Sequence, residues 1–117
     1  MSPNLLKALR RLAAVLMLLS GITHVSQLLV YGFAPNVLGA ATFGGIYLLI
    51  GVLLLRQGLL GLWLGASLPA IGGILGAVRY LMVHANPFSL FHIGIDLIVV
   101  PICLGLLIFE YGRLRRR

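Results

Sequence analysis

The sequence predicts an all-α, integral membrane four-helix bundle, up-down-up-down, with both termini on the cytoplasmic side. Three observations carry this. Of the 117 residues, 61% are hydrophobic and only 9% are charged, against about a quarter charged in soluble domains. Four apolar runs each approach the roughly 20 residues needed to cross a bilayer. Eight of the nine basic residues flank those runs in the three segments that an even number of crossings leaves on one side.

The first run extends from about Leu12 to Tyr31, behind a basic start of Lys7, Arg10 and Arg11. A basic start and an apolar stretch also describe a signal peptide. No A-x-A site follows, however, and apolar residues continue through Val30, so a retained helix is expected. Gly32-Phe33-Ala34-Pro35-Asn36 breaks it, and the second run covers Val37 to Leu55. Arg56-Gln57-Gly58 separates this from the third, Leu59 to Val83. His84-Ala85-Asn86-Pro87 then leads into the fourth, Phe88 to Phe109. Pro35 and Pro87 fall where a helix begins and a missing N–H costs little. Links this short make successive helices antiparallel neighbours, giving one transmembrane domain over residues 1–117. Pro69 and Pro101, inside the third and fourth helices, are expected to bend them.

Orientation follows from Lys and Arg in short flanks. The N-terminal flank, Arg56 in the middle link, and the tail of Arg113, Arg115, Arg116 and Arg117 share one side. That places both termini in the cytoplasm of a cell (inner) membrane, multi-pass. The net charge of +7 is therefore spread over flanks and forms no face that could track nucleic acid. The partner it implies is the anionic bilayer surface. A larger membrane complex or a second copy of the chain are further candidate partners. The lone Cys103 reads as a small buried apolar side chain.

Small residues recur at packing spacing: Gly61 and Gly65, Gly72 and Gly76, Ala40 and Gly44, Ala41 and Gly45. In lipid such residues let helices approach closely, and the expectation is packing within one bundle. The aromatics Tyr31, Phe33, Tyr80, Phe88 and Phe91 form one interfacial belt, and Tyr111 marks the other. Glu110 is expected to pair with Arg113 one turn away.

Polar residues outside the basic flanks carry the functional signal. Ser20, Gly21, His24, Gln27 and Tyr31 form one stripe on the first helix. Arg79, Tyr80 and His84 close the third, and Ser89, His92 and Asp96 line the fourth. Charged groups within a bilayer are costly and normally face a bundle interior, paired. Arg79 and Asp96 are the only opposite charges in that half, so they are expected to pair.

The candidate ligand-binding set is Arg79, Asp96, His24, His84, His92, Gln27, Tyr31 and Tyr80. An outward-facing pocket would use Arg79 to hold an anion, carboxylate or quinone oxygen. His24, His84 and His92 are also candidate metal or haem ligands, since imidazole is the commonest metal ligand, although no tight metal spacing is present. A proton relay through His24, His92 and Asp96 and a purely structural clamp complete the readings. The cofactor is left unknown. With two acidic residues in the chain and no GxSxG, phosphate-loop or HExxH motif, no enzyme is expected. A non-enzymatic accessory subunit or ligand-binding bundle leads. A small oligomeric transporter or ion channel follows, then a haem- or quinone-binding redox subunit.

The segment Gly72-Gly73-Ile74-Leu75-Gly76-Ala77-Val78-Arg79-Tyr80 resembles the GGxxGAxxRY segment of the Fluc (CrcB) fluoride channels, themselves small four-helix membrane proteins. That family carries it on the first helix, whereas here it falls on the third. The likeness is read as convergence on small-residue packing. The chain is also similar in size and helix count to the small multidrug-resistance transporters, but the acidic residue of their first helix has no counterpart here.

Overall fold

Four helices follow one another in a computed structural model that describes residues 2–116: α1 (Pro3–Tyr31), α2 (Pro35–Leu55), α3 (Leu60–Met82) and α4 (Pro87–Arg115). Met1 and Arg117 lie outside the described residues, and no strand occurs among those that are described. All four helices are long and apolar enough to cross a membrane. The bundle measures 51 × 22 × 18 Å. The described termini and the α2–α3 link share one end, called here the basic end. The α1–α2 and α3–α4 links form the far end.

At the far end the helices stop and start where the breaker residues put them. Tyr31 is followed by Gly32 at φ 80°, a left-handed conformation that glycine adopts without steric cost. The Gly32 amide donates to the Leu28 carbonyl at 3.1 Å, closing the helix. Asn86 caps α4 by accepting from the Ser89 amide at 3.0 Å, ahead of Pro87 in the first turn.

At the basic end α1 and α4 differ from expectation. α1 begins nine residues before Leu12 and α4 continues six beyond Phe109. Hydropathy registers only the part of a helix that suits hydrocarbon, whereas backbone hydrogen bonding carries on wherever a cap permits. The Ser2 hydroxyl accepts from the Leu5 amide at 3.2 Å, with Pro3 in the first turn. At 29 residues each, these helices run about 43 Å, beyond the ~30 Å of a hydrocarbon core.

The helices pack as two hairpins, α1 on α2 and α3 on α4, while α2 and α3 touch least among neighbours. The core between them contains Met17, Tyr47, Ile50, Leu62, Val99 and Cys103, each at most 1% exposed. α3 and α4 run as helices through Pro69, which is buried, and Pro101, which is exposed. The exterior is the reverse of a soluble bundle, with Leu29, Met82, Leu97 and Ile108 between 71% and 90% exposed. Such apolar surface is at home in lipid.

Small residues make the inter-helix contacts close. A Cβ added at Gly65 would lie 2.6 Å from Cys103 Sγ, and one at Gly61 would lie 3.0 Å from the Leu53 backbone. Gly45 by contrast faces open space. Near the basic end Arg113 pairs with Glu110 at 2.7 Å, as the sequence suggests, and Trp63 Nε1 donates to the Tyr111 hydroxyl at 3.1 Å. Both residues of that last pair are exposed, so Tyr111→Phe is expected to lower stability by less than about 1 kcal/mol. Thermal unfolding in detergent would measure it.

Candidate functional site

The polar stripes of α1, α3 and α4 converge at the far end, and the poor contact between α2 and α3 leaves room beside them. A cavity of about 290 Å³ lies there. Its polar wall is His24 from α1, Arg79 from α3 and Ser89, His92 and Asp96 from α4, with Asn36 from α2. Phe43, Leu75 and Ile93 supply apolar wall, and Gly76 keeps the α3 side open. Toward the basic end the space closes where the Tyr47 hydroxyl abuts Gly72.

His24 and His92 stack face to face, ring centroids 3.5 Å apart and planes 12° from parallel. One hydrogen bond assigns the tautomer of His24. Its Nδ1 lies 2.7 Å from the Ser20 carbonyl oxygen and must donate to it, leaving Nε2 as the acceptor nitrogen. The Thr23 hydroxyl lies 3.0 Å from the Leu19 carbonyl oxygen and 2.6 Å from His92 Nε2, so it ties the His92 ring to α1. Tyr47, fully buried, meets the His24 ring edge-on at 5.1 Å and fixes the stack from the α2 side.

The expected Arg79–Asp96 ion pair is not formed. Arg79 Nη1 instead donates to Gln27 Oε1 on α1 at 2.8 Å. Axial register is the reason. Asp96 packs against Gly73, six residues from Arg79 along α3, or about 9 Å at 1.5 Å per residue. Arg79 lies in the last turn of its helix and extends toward the end of α1, whereas Asp96 sits deeper. Both are left with unused capacity: Arg79 Nε and Nη2, Asp96 Oδ1 and Gln27 Nε2 are buried without a hydrogen-bond partner.

Of the remaining candidates, Tyr31 and His84 are together but away from the cavity. Their rings meet edge-on at 4.7 Å, and Tyr31 also meets Phe88. Tyr80 is half-buried beside Arg79 and is not part of the cavity wall. The three histidines therefore do not assemble, and no group of three His, Cys, Asp or Glu side chains suited to a metal ion occurs among the described residues. The stacked pair also carries its lone pairs in separate, nearly parallel planes that do not converge on one ion. Thr23, Tyr47 and Asn36 also adjoin the cluster, and the polar stripes of the sequence mark neither Thr23 nor Tyr47. A helical threonine bonding its own backbone, or a tyrosine in an apolar helix, reads as ordinary core.

The chain matches no protein-family model, no curated protein and no solved structure. The site therefore rests on its own geometry. It offers two guanidinium nitrogens with unused N–H groups at one end, a carboxylate oxygen deeper in, imidazole rings between, and apolar walls on the α2 side.

Proposed function

We propose that the chain is a non-enzymatic, multi-pass protein of the cell (inner) membrane that binds a small, mainly apolar molecule at its far end. The ligand carries an acidic or carbonyl oxygen for Arg79 and an N–H or O–H donor for Asp96. The observation that carries this reading is the pair of buried, unpartnered Arg79 donors bordering a cavity of about 290 Å³. A buried charge short of hydrogen bonds is costly unless something satisfies it. The volume is just below the usual range for ligand pockets, about 300–1,000 Å³, which favours a compact occupant.

A continuous conduction path through one bundle is disfavoured. Met17, Tyr47, Ile50 and Val99, all fully buried, fill the section between this cavity and the basic end. The gathering of Lys7, Arg10, Arg56 and Arg113 around that end supports cytoplasmic termini, by the bias of short basic flanks. The far end would then face outward. A role as accessory subunit of a larger complex is compatible with the same pocket.

The test is native mass spectrometry of the protein gently extracted from its host membrane. A discrete small-molecule adduct is expected on the wild-type chain. Arg79→Ala and Asp96→Asn should each lower its occupancy at least about tenfold, the loss of one charge-assisted hydrogen bond. A chain that carries no adduct, or an adduct indifferent to both substitutions, would sink the proposal. A bare homo-oligomer would point to a transporter or channel.

A further inference from the structure

A second cavity, of about 440 Å³, lies at the basic end between the overhanging parts of α1 and α4 and the α2–α3 link. Its wall has two parts. Lys7, Arg10, Arg11, Arg56 and Arg113 supply cations with Glu110 as the single acid. Leu6, Leu54, Leu55, Leu62, Leu106 and Phe109 supply apolar surface.

The cations do not share the same work. Arg10 spends its guanidinium on four backbone carbonyls, those of Leu53, Leu54, Arg56 and Gly58. Arg113 is held by Glu110. The only other acidic residue of the chain is Asp96, which lines the far cavity. Lys7, Arg11 and Arg56 therefore surround the basic cavity with no further acidic side chain among the described residues to answer them. They are exposed, and Arg56 uses only its backbone in hydrogen bonds, so the three side-chain charges are available to a ligand.

We propose that this cavity is a binding site for a phosphate-bearing anionic amphiphile, with phosphate held by Lys7, Arg11 and Arg56 and the start of its apolar part against the leucine wall. Guanidinium groups match phosphate oxygens in bidentate fashion. A cationic rim alone would accept any phosphate. The apolar surface that shares the cavity is what selects a phospholipid over a soluble ion. This site is separate from the far-end pocket and does not depend on what occupies it.

The experiment titrates the detergent-solubilised full chain with phosphatidylglycerol, phosphatidylcholine and inorganic phosphate, reading bound mass by native mass spectrometry. Phosphatidylglycerol is expected to be retained in preference to phosphatidylcholine. The triple variant Lys7→Gln/Arg11→Gln/Arg56→Gln should weaken it about a hundredfold, at about 1 kcal/mol per basic residue. Arg79→Ala should leave it unchanged. Circular dichroism checks that the triple variant folds, and the single Arg56→Gln, expected to lose about fivefold, provides a milder second reading. Equal retention of the two lipids, or a triple variant that binds as wild type, would overturn the site. If millimolar inorganic phosphate displaces the lipid, the phosphate chemistry stands and the lipid assignment falls.

Discussion

Gly44→Ala is expected to destabilise the bundle by about 3 kcal/mol, the upper part of the range for overpacking a tight contact, and to disturb the far-end cavity at the same time. A Cβ there would lie 2.7 Å from His24 Cβ and 2.8 Å from the Gly21 carbonyl oxygen. At Gly21 the reverse holds, with the Gly44 carbonyl oxygen at 2.8 Å. Two backbones thus meet with nothing between them, and no rotamer change can relieve the clash. Helices α1 and α2 would have to separate, and His24, stacked on His92 and braced by Tyr47, would move with them. Gly45→Ala is the control. Its Cβ would meet nothing within 4 Å, so it should gain about 0.5–1 kcal/mol from helix propensity alone. Adjacent glycines giving opposite signs in thermal unfolding would isolate the contact. Equal and small effects would show that α1 and α2 do not approach this closely.

Much of this was legible beforehand, and the failures share a cause. α1 and α2 end at Tyr31 and Leu55, as the breakers suggest, because a positive-φ glycine in each link, Gly32 and Gly58, turns the chain locally. The stripe Ser20, His24 and Gln27 was legible from helical periodicity, and those residues do sit on the buried face of α1. What single-helix periodicity does not contain is the axial register between helices. Charge alone pairs Arg79 with Asp96, yet they stand about 9 Å apart along the bundle, and a neutral partner, Gln27, takes the arginine. Residue type groups His84 with the other histidines, but it lies in the link beyond α3 and packs on Tyr31. The overhangs of α1 and α4 were missed because hydropathy marks a solvent and not a hydrogen-bonding pattern.

The largest miss concerns Arg10, which a flank-charge reading treats as one cation among several. Arg10→Ala is expected to cost about 3 kcal/mol in thermal unfolding. The side chain donates from Nε to the Leu54 carbonyl at 2.8 Å. From Nη2 it donates to the carbonyls of Leu53 at 3.4 Å, Arg56 at 2.6 Å and Gly58 at 2.8 Å. The last carbonyls of a helix have no partner within it, and α2 ends at Arg56 in extended conformation, with no glycine cap of its own. Arg10 takes that role from 44 residues away, tying α1 to the end of α2 and to the link before α3. A hydrogen bond from a charged donor contributes about 1.5–3 kcal/mol. Two of the four bonds are exposed and one is long, so the sum falls well short of four such terms. Arg10→Lys keeps the charge beside the negative end of the α2 dipole but lacks the planar fork that reaches several carbonyls at once. It should therefore restore less than half of the loss. Full rescue by lysine would mean that charge at this position matters and geometry does not, and the α2 terminus would then need another explanation for its order.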